Sequence, residues 1–258
     1  MALSDLPLHR ETRILAEDAD GLVVLEKPEG VMTHPNVQAD ERRSLLVCHF
    51  DRKAECYRWG RDGRERLWLV HRLDAATSGV LVAARDANLA ERLKAAFANR
   101  QVGKLYLAGV FGDGPARRVT WRDPLITDRT GGQVRSRILA GGRRVEPAVT
   151  HAWCRARLRT RLGCVSWLEL EPETGRPHQL RVQCAAHDLP IIGDQTYGVF
   201  EANRAWVKAG GSKRLFLHAW KIHLPMLSAI SPARKFEAPW PEAFLSAGFN
   251  PTPPGCPG

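Results

Sequence analysis

Apolar residues in this chain come in short runs, and that spacing limits the fold more than any other feature. Residues 22–25 (LVVL), 67–70, 79–84 (GVLVAA), 105–111 and 215–224 are each of strand length and are bounded by Gly, Pro or charged residues. Residues 151–159 alternate instead. Ala152, Cys154, Ala156 and Leu158 share one face, with His151, Trp153 and three arginines on the other. After a short connection, 164–171 follows, so the pair reads as an antiparallel hairpin. Helical spacing is rarer. Leu89, Leu93, Ala96 and Phe97 mark one stripe within 86–100, and Asp86 stands where a carboxylate can accept an orphan backbone N–H. Residues 178–187 suit a second, short helix. Short strands with few helices predict an α+β fold with a mixed, mostly antiparallel sheet flanked by helices and loops. No GxGxxG is present to support a doubly wound dinucleotide fold.

The connecting segments are read from composition. Pro28, Gly30 and Pro35 break regular structure, so 26–36 is expected to be a loop. Residues 51–66 are highly charged and predict an exposed loop of low order. Residues 129–144 (RTGGQVRSRILAGGRR) carry five arginines and two Gly-Gly pairs and no acid. That pattern fits a projecting hairpin arm whose Arg135, Arg137 and Arg143 grip phosphates, or a solvated loop with no specific role. Residues 1–12 read as a loose lead-in, 13–249 as one domain, and 250–258 (NPTPPGCPG) as a disordered tail.

Charge narrows the partner. Lys and Arg number 38 against 28 Asp and Glu, a formal net charge of +10 over 258 residues. Such a domain attracts polyanions before any specific contact forms, although a solubility charge has the same composition. The six cysteines include no C-x-x-C pair and no zinc spacing. No stretch approaches the roughly 18 apolar residues of a membrane span, and residues 1–13 lack the apolar run of a signal peptide. A monomer in the reducing cytoplasm, with no membrane contact, is the expectation.

Two segments carry polar groups suited to chemistry. HRLDAATSG (71–79) places Asp74 between two apolar strands, with Thr77, Ser78 and Gly79 near it. A partly desolvated acid there needs cations or donors to stay ionised. A tight turn closed by an Asx-type bond explains the same residues equally well. ETGRPHQLR (173–181) collects Arg176, His178, Gln179 and Arg181, and on a helix His178 and Arg181 share a face. Routine polar capping of a helix start is the plainer reading.

Together with LPIIGDQTYG (189–198), these strings, in this order, resemble the signatures of the RluA family of pseudouridine synthases. Lys27-Pro28-Glu29-Gly30, His34-Pro35, Lys104-Leu105-Tyr106 and Leu217-His218-Ala219 add to the match, which runs from about residue 14 to 225. The resemblance implies a mixed sheet crossed by a long cleft, and isomerisation of uridine to pseudouridine in tRNA or rRNA without metal or cofactor. It implies that Asp74 is the essential carboxylate, that Tyr106 packs on the target base, and that Arg181 ion-pairs with the aspartate. It implies that Arg72 enters the RNA stack as the uridine leaves. Arg176, His178 and Gln179 are further expected RNA contacts. The family often has His where this chain has Gln183. An N-terminal S4 RNA-binding module, common among relatives, is not expected before residue 14, so loops 51–66 and 129–144 become candidates for substrate choice.

Readings of other classes fare worse. A non-enzymatic RNA-binding module of the same fold would not need Asp74, Tyr106 and Arg181 together. Ser78 is not in a G-x-S-x-G elbow, and the H-x-E and P-C-x-x-C strings of a zinc deaminase are missing.

Overall fold

A computed structural model describes residues 6–130, 133–139, 145–226 and 233–249. The strands are β1 Arg13–Glu17, β2 Leu22–Lys27, β3 His49–Asp51, β4 Cys56–Trp59, β5 Glu65–Leu69 and β6 Ser78–Ala84. After helix α1, Ala87–Ala98, come β7 Gly103–Phe111, β8 Val119–Thr130, β9 Gln133–Ile138, β10 Pro147–Thr160 and β11 Gly163–Pro172. Helices α2 Gln179–Ala186 and α3 Phe200–Lys208 precede β12 Leu217–Leu224, β13 Arg234–Glu237 and the short helix α4, Glu242–Ser246. The α+β reading holds, and every strand pairing with a stated register is antiparallel. Where the sequence suggests one domain, the contacts group into two compact units. One is Met1–Gly103 with Ala219–Pro239, the other Lys104–His218 with Trp240–Gly258.

In the first unit, β2 pairs with β6 from Leu22↔Ala84 to Lys27↔Gly79, and β5 meets the end of β6 at Trp68↔Ala84 and Leu69↔Ala83. All seven residues of β6 are buried, so that strand reads as an unbroken apolar run and not as an alternation. Leu89, Leu93 and Ala96 of α1 join Val24, Val80, Val82 and Ile222 in one apolar core. Asp86 caps α1 as its position suggested, accepting a bond from the Leu89 N–H at 2.8 Å. Residues 6–12 are not a loose lead-in: Leu8 bridges to Leu46, and Leu6 and Thr12 are buried.

The expectation of a low-order loop at 51–66 is wrong. β3, β4 and β5 form an antiparallel meander across it, and Cys56 and Tyr57 are fully buried. The charges occupy the turn and the outer faces of the strands, where Arg58 lies opposite Arg66. Composition averaged over the segment hides the few inward side chains that define it.

The second unit runs β7–β11–β10–β8–β9. The expected β10–β11 hairpin is present, closing at Thr160↔Gly163. A register shift between Cys154 and Ala156 breaks the even alternation read from the sequence, because a bulge adds one residue to the strand. Arg155 falls in that shift and pairs with Glu169. Trp167 is buried against Phe216, Phe244 and Phe249. The 129–144 segment does contain a hairpin strand, β9, but its partner β8 begins ten residues before the expected arm, at Val119. Arg143 and its neighbours 140–144 lie outside the described residues. Among the described residues no helix is long and apolar enough to cross a membrane.

Candidate active site

Asp74 lies on the connection from β5 to β6 and is half-buried. Its backbone carbonyl accepts the Thr77 N–H at 3.0 Å, which closes a tight turn between main-chain groups. The turn is also clamped from outside. Lys27, at the end of β2, is 0% exposed. Its ammonium donates to the carbonyls of Pro28 (2.8 Å), Val31 (2.6 Å) and Ala75 (3.0 Å). Three donors meet three acceptors, which is what allows a lysine to be buried there.

Gly30 N–H adds a second bond to the Ala75 carbonyl at 2.8 Å. Thr33 binds Leu73 on both sides, donating from Oγ1 to the carbonyl at 2.7 Å and accepting from the N–H at 3.1 Å. Tyr57 in turn donates to the Thr33 carbonyl at 2.8 Å. Burial pushes the Tyr57 phenol above its usual pKa, so it stays a donor. The backbone of Leu73 and Ala75, the residues on either side of Asp74, is therefore held by Lys27, Gly30 and Thr33.

The glycine of TSG is sterically required. Gly79 has φ +124°, and a Cβ there would stand 2.1 Å from the Ala219 carbonyl oxygen. His71 accepts the Val82 N–H on Nε2 at 2.9 Å and stacks on Phe97 with ring centroids 4.6 Å apart. Arg72 is exposed.

In the second unit Tyr106 lies half-buried on β7, opposite Leu170 of β11. The ETGRPHQLR segment leads into α2 through His178, which takes a left-handed φ of 53°. Gln179 does not reach outward as expected. Its Oε1 accepts from Thr174 Oγ1 at 2.8 Å and from Arg176 N at 3.0 Å. Its Nε2 donates to the Val149 carbonyl at 3.1 Å and to Thr150 Oγ1 at 2.9 Å. A 4% exposed amide with four bonds shapes the loop and has little capacity left for RNA. Gln183, where relatives often have His, is fully buried and makes three internal bonds. It accepts from Thr150 Oγ1 at 2.6 Å and donates to Asp123 at 2.7 Å and to the Ala148 carbonyl at 3.1 Å.

Arg181 is buried and makes a bidentate pair with Asp194, Nε and Nη2 each 2.8 Å from a carboxylate oxygen. Asp194 also accepts the N–H groups of Thr196 (2.8 Å) and Tyr197 (3.0 Å). Burial alone would raise the Asp194 pKa. The Arg181 bonds and charge, with the two backbone donors, outweigh it and hold the carboxyl below its usual value. The Arg181 guanidinium lies 5.1 Å from the centre of the Tyr197 ring. Gly193, just before Asp194, has φ +79°, and a Cβ would come 1.8 Å from the Arg214 carbonyl oxygen.

The Tyr197 hydroxyl lies 2.8 Å from His178 Nδ1 and accepts the Ser136 N–H at 2.9 Å. Ser136 Oγ donates to the Pro177 carbonyl at 2.8 Å. Strand β9 is thus bonded to the ETGRPHQLR segment through its buried Ser136, and Arg135 and Arg137 fall on the opposite, exposed face. Arg137 pairs with Asp128 at 3.3 Å, and Arg176 with Glu146 at 3.1 Å.

Sequence reasoning assigned no role to Lys27, Thr33, Asp194 or Tyr197. Lys27 and Asp194 did carry a signal, since each sits inside a recognised string one residue beyond an apolar run. Among the described residues no group of three or more His, Cys, Asp or Glu is placed to hold a metal ion.

A family model described as RNA pseudouridylate synthase matches residues 21–186. The tRNA pseudouridine synthase C of Yersinia pestis is 30% identical over 242 residues, covering 89% of this chain and 88% of that protein. The ribosomal large subunit pseudouridine synthase D of Borreliella burgdorferi is 28% identical over 234 residues, 90% of this chain and 66% of that protein. Among solved structures, human RNA Pseudouridylate Synthase Domain Containing 4 aligns with a TM-score of 0.65 at 26% identity, covering 90% of each chain. With this match spanning well over half of its length, the chain belongs to the RNA pseudouridylate synthase family.

Proposed function

We propose that this protein isomerises specific uridines of structured tRNA or rRNA to pseudouridine, with Asp74 as the catalytic carboxylate. The observation that carries the reading is the clamp around that residue. Lys27 and Thr33 fix backbone groups of Ala75 and Leu73, the residues on either side of Asp74. A reacting group must be held to a fraction of an ångström, and backbone anchoring on both flanks supplies that. The substrate classes come from relatives named for tRNA and for the large ribosomal subunit.

The reaction breaks the N1–C1′ bond, turns the uracil, and joins C5 to C1′. C5 loses a proton and N1 gains one, so composition and oxidation state are unchanged. The target must first leave its stack, at a cost of about a few kcal/mol. Arg72 is exposed, two residues before Asp74, and its planar guanidinium suits the space a base vacates. Asp74 then acts on the everted nucleotide as nucleophile or as base at the sugar. Tyr106 supplies a π-face for the uracil and Arg181 a fixed cation. Arg135, Arg137, Arg143, Arg176 and His178 are proposed RNA contacts.

The test is pseudouridine formation in unmodified tRNA and rRNA transcripts by wild type and by Asp74→Asn. Product from the wild type and none from the variant, at equal RNA affinity, supports the reading. Equal product from both removes Asp74 from the chemistry.

A further inference from the structure

A cavity of about 340 Å³ opens within the first unit, beside Arg72. That is the size of an ordinary small-ligand pocket. Its apolar wall is Phe50, Leu69 and Val70, and the His34 ring lies parallel to Phe50 with centroids 5.1 Å apart and 10° between planes. The pair is held from behind, because Phe50 packs edge-on against buried Tyr57 at 4.9 Å.

The polar residues of this pocket are unbalanced toward cations. Arg52, Arg72 and Lys94 contribute to it, against Glu55 alone, and Glu55 already pairs with Lys94 at 2.9 Å. His34 is half-buried and its Nδ1 lies 3.1 Å from the Pro35 carbonyl, so Nδ1 carries the proton. Burial first, then the Arg72 and Arg52 charges, lower the His34 pKa and keep the ring neutral. Nε2 is then an acceptor.

An aromatic pair with one acceptor and a cationic rim matches a nucleotide: a flat base with N–H donors joined to a phosphate. A lipid or an apolar peptide would leave the arginines without partners, and an acidic peptide would not use the flat ring pair. Arg72 ties the site to the substrate, since it borders this cavity and stands two residues from Asp74.

We infer that this pocket is a second nucleotide site, which receives an unpaired base of the substrate RNA other than the uridine that is isomerised, with the base against His34 and its phosphate on Arg52. The inference rests on the RNA reading of the proposed function. It assigns part of substrate choice to loop 34–36 and to the start of the β3–β4 connection.

The test uses full-length protein carrying Asp74→Asn, so that no turnover occurs, and a fluorescent single-stranded decauridylate as probe. On that background His34→Ala is expected to weaken binding roughly 5- to 150-fold, the range for loss of one base–aromatic stack, with an unchanged salt dependence. Arg52→Ala is expected to weaken binding and to lower the log–log salt slope by about 0.7, the value for one phosphate contact on a single strand. Arg61→Ala, on the exposed β4–β5 turn, serves as a control for loss of one charge and should change neither quantity as much. Unchanged circular dichroism and melting temperature verify folding.

If both pocket variants bind like the background protein, or like Arg61→Ala, the second site is refuted. Product formation by wild-type enzyme is scored separately. If the wild type makes pseudouridine while the pocket variants bind normally, the inference fails and the proposed function stands. If the wild type makes none, the proposed function fails whatever the binding shows.

Discussion

The Arg181–Asp194 pair concentrates much of the second unit's buried charge. A bidentate pair with two backbone donors on the carboxylate is stable only while both ions are present. Asp194→Ala removes both bidentate bonds from a buried guanidinium and is expected to cost about 3–5 kcal/mol in denaturant unfolding. The pH dependence has a definite sign. A carboxyl whose folded pKa is depressed binds protons more readily when unfolded, so stability rises with pH through that window. The contribution is complete above the unfolded value of about 3.9 and is lost as pH falls through the lower folded value. Asp194→Asn should therefore flatten the acid limb of the stability curve below about pH 4. An unaltered limb would show that the pair is not what stabilises the protein there. Gly79→Ala is the corresponding steric test. With φ +124° and a carbonyl oxygen 2.1 Å from the new Cβ, the β6–β12 backbone must move. We expect a loss of more than about 1–3 kcal/mol, the usual worth of backbone strain alone, in thermal or denaturant melts.

At the level of elements, α1 offers a control separate from the chemistry. Asp86→Ala removes the bond to Leu89 N–H and should cost about 1 kcal/mol while leaving catalysis unchanged. That cap was readable because one carboxylate preceded an apolar stripe of helical period. The β10–β11 hairpin was readable for a similar reason, since alternation survives in the sequence on either side of its bulge. The meander at 56–69 was not. Two buried residues, Cys56 and Tyr57, define β4 within a run of charges, and composition outweighs them when the segment is read as a whole. Gln179 was misplaced for a different reason. A polar side chain in a motif looks available to a ligand, and only its four internal bonds reveal that it is not. Lys27 is the same lesson with a charge. An ammonium at a strand end reads as solvent-exposed, yet three carbonyls enclose it.

For the whole molecule, the net charge of +10 sets how RNA is captured. If about five cations neutralise phosphates on a single-stranded probe, the log–log salt slope should lie near −3 to −4. A slope near zero would remove phosphate gripping by the basic residues, those of β9 included. The order of the three signature strings made the family legible from sequence, and the family model matches residues 21–186, which hold the first two of them. The residues that make those strings rigid became visible only with coordinates, because hydrogen bonds from Lys27 to Ala75 and from Arg181 to Asp194 join positions that no local pattern links.

One measurement bears most directly on all of this: liquid-chromatography mass spectrometry of nucleosides from unmodified tRNA and rRNA transcripts incubated with wild-type protein or with Asp74→Asn. The expected result is stoichiometric pseudouridine at a defined site with the wild type and none with the variant, while both bind the transcript equally. Pseudouridine formed at the same site and rate by the Asn variant would contradict the assignment of catalysis to Asp74.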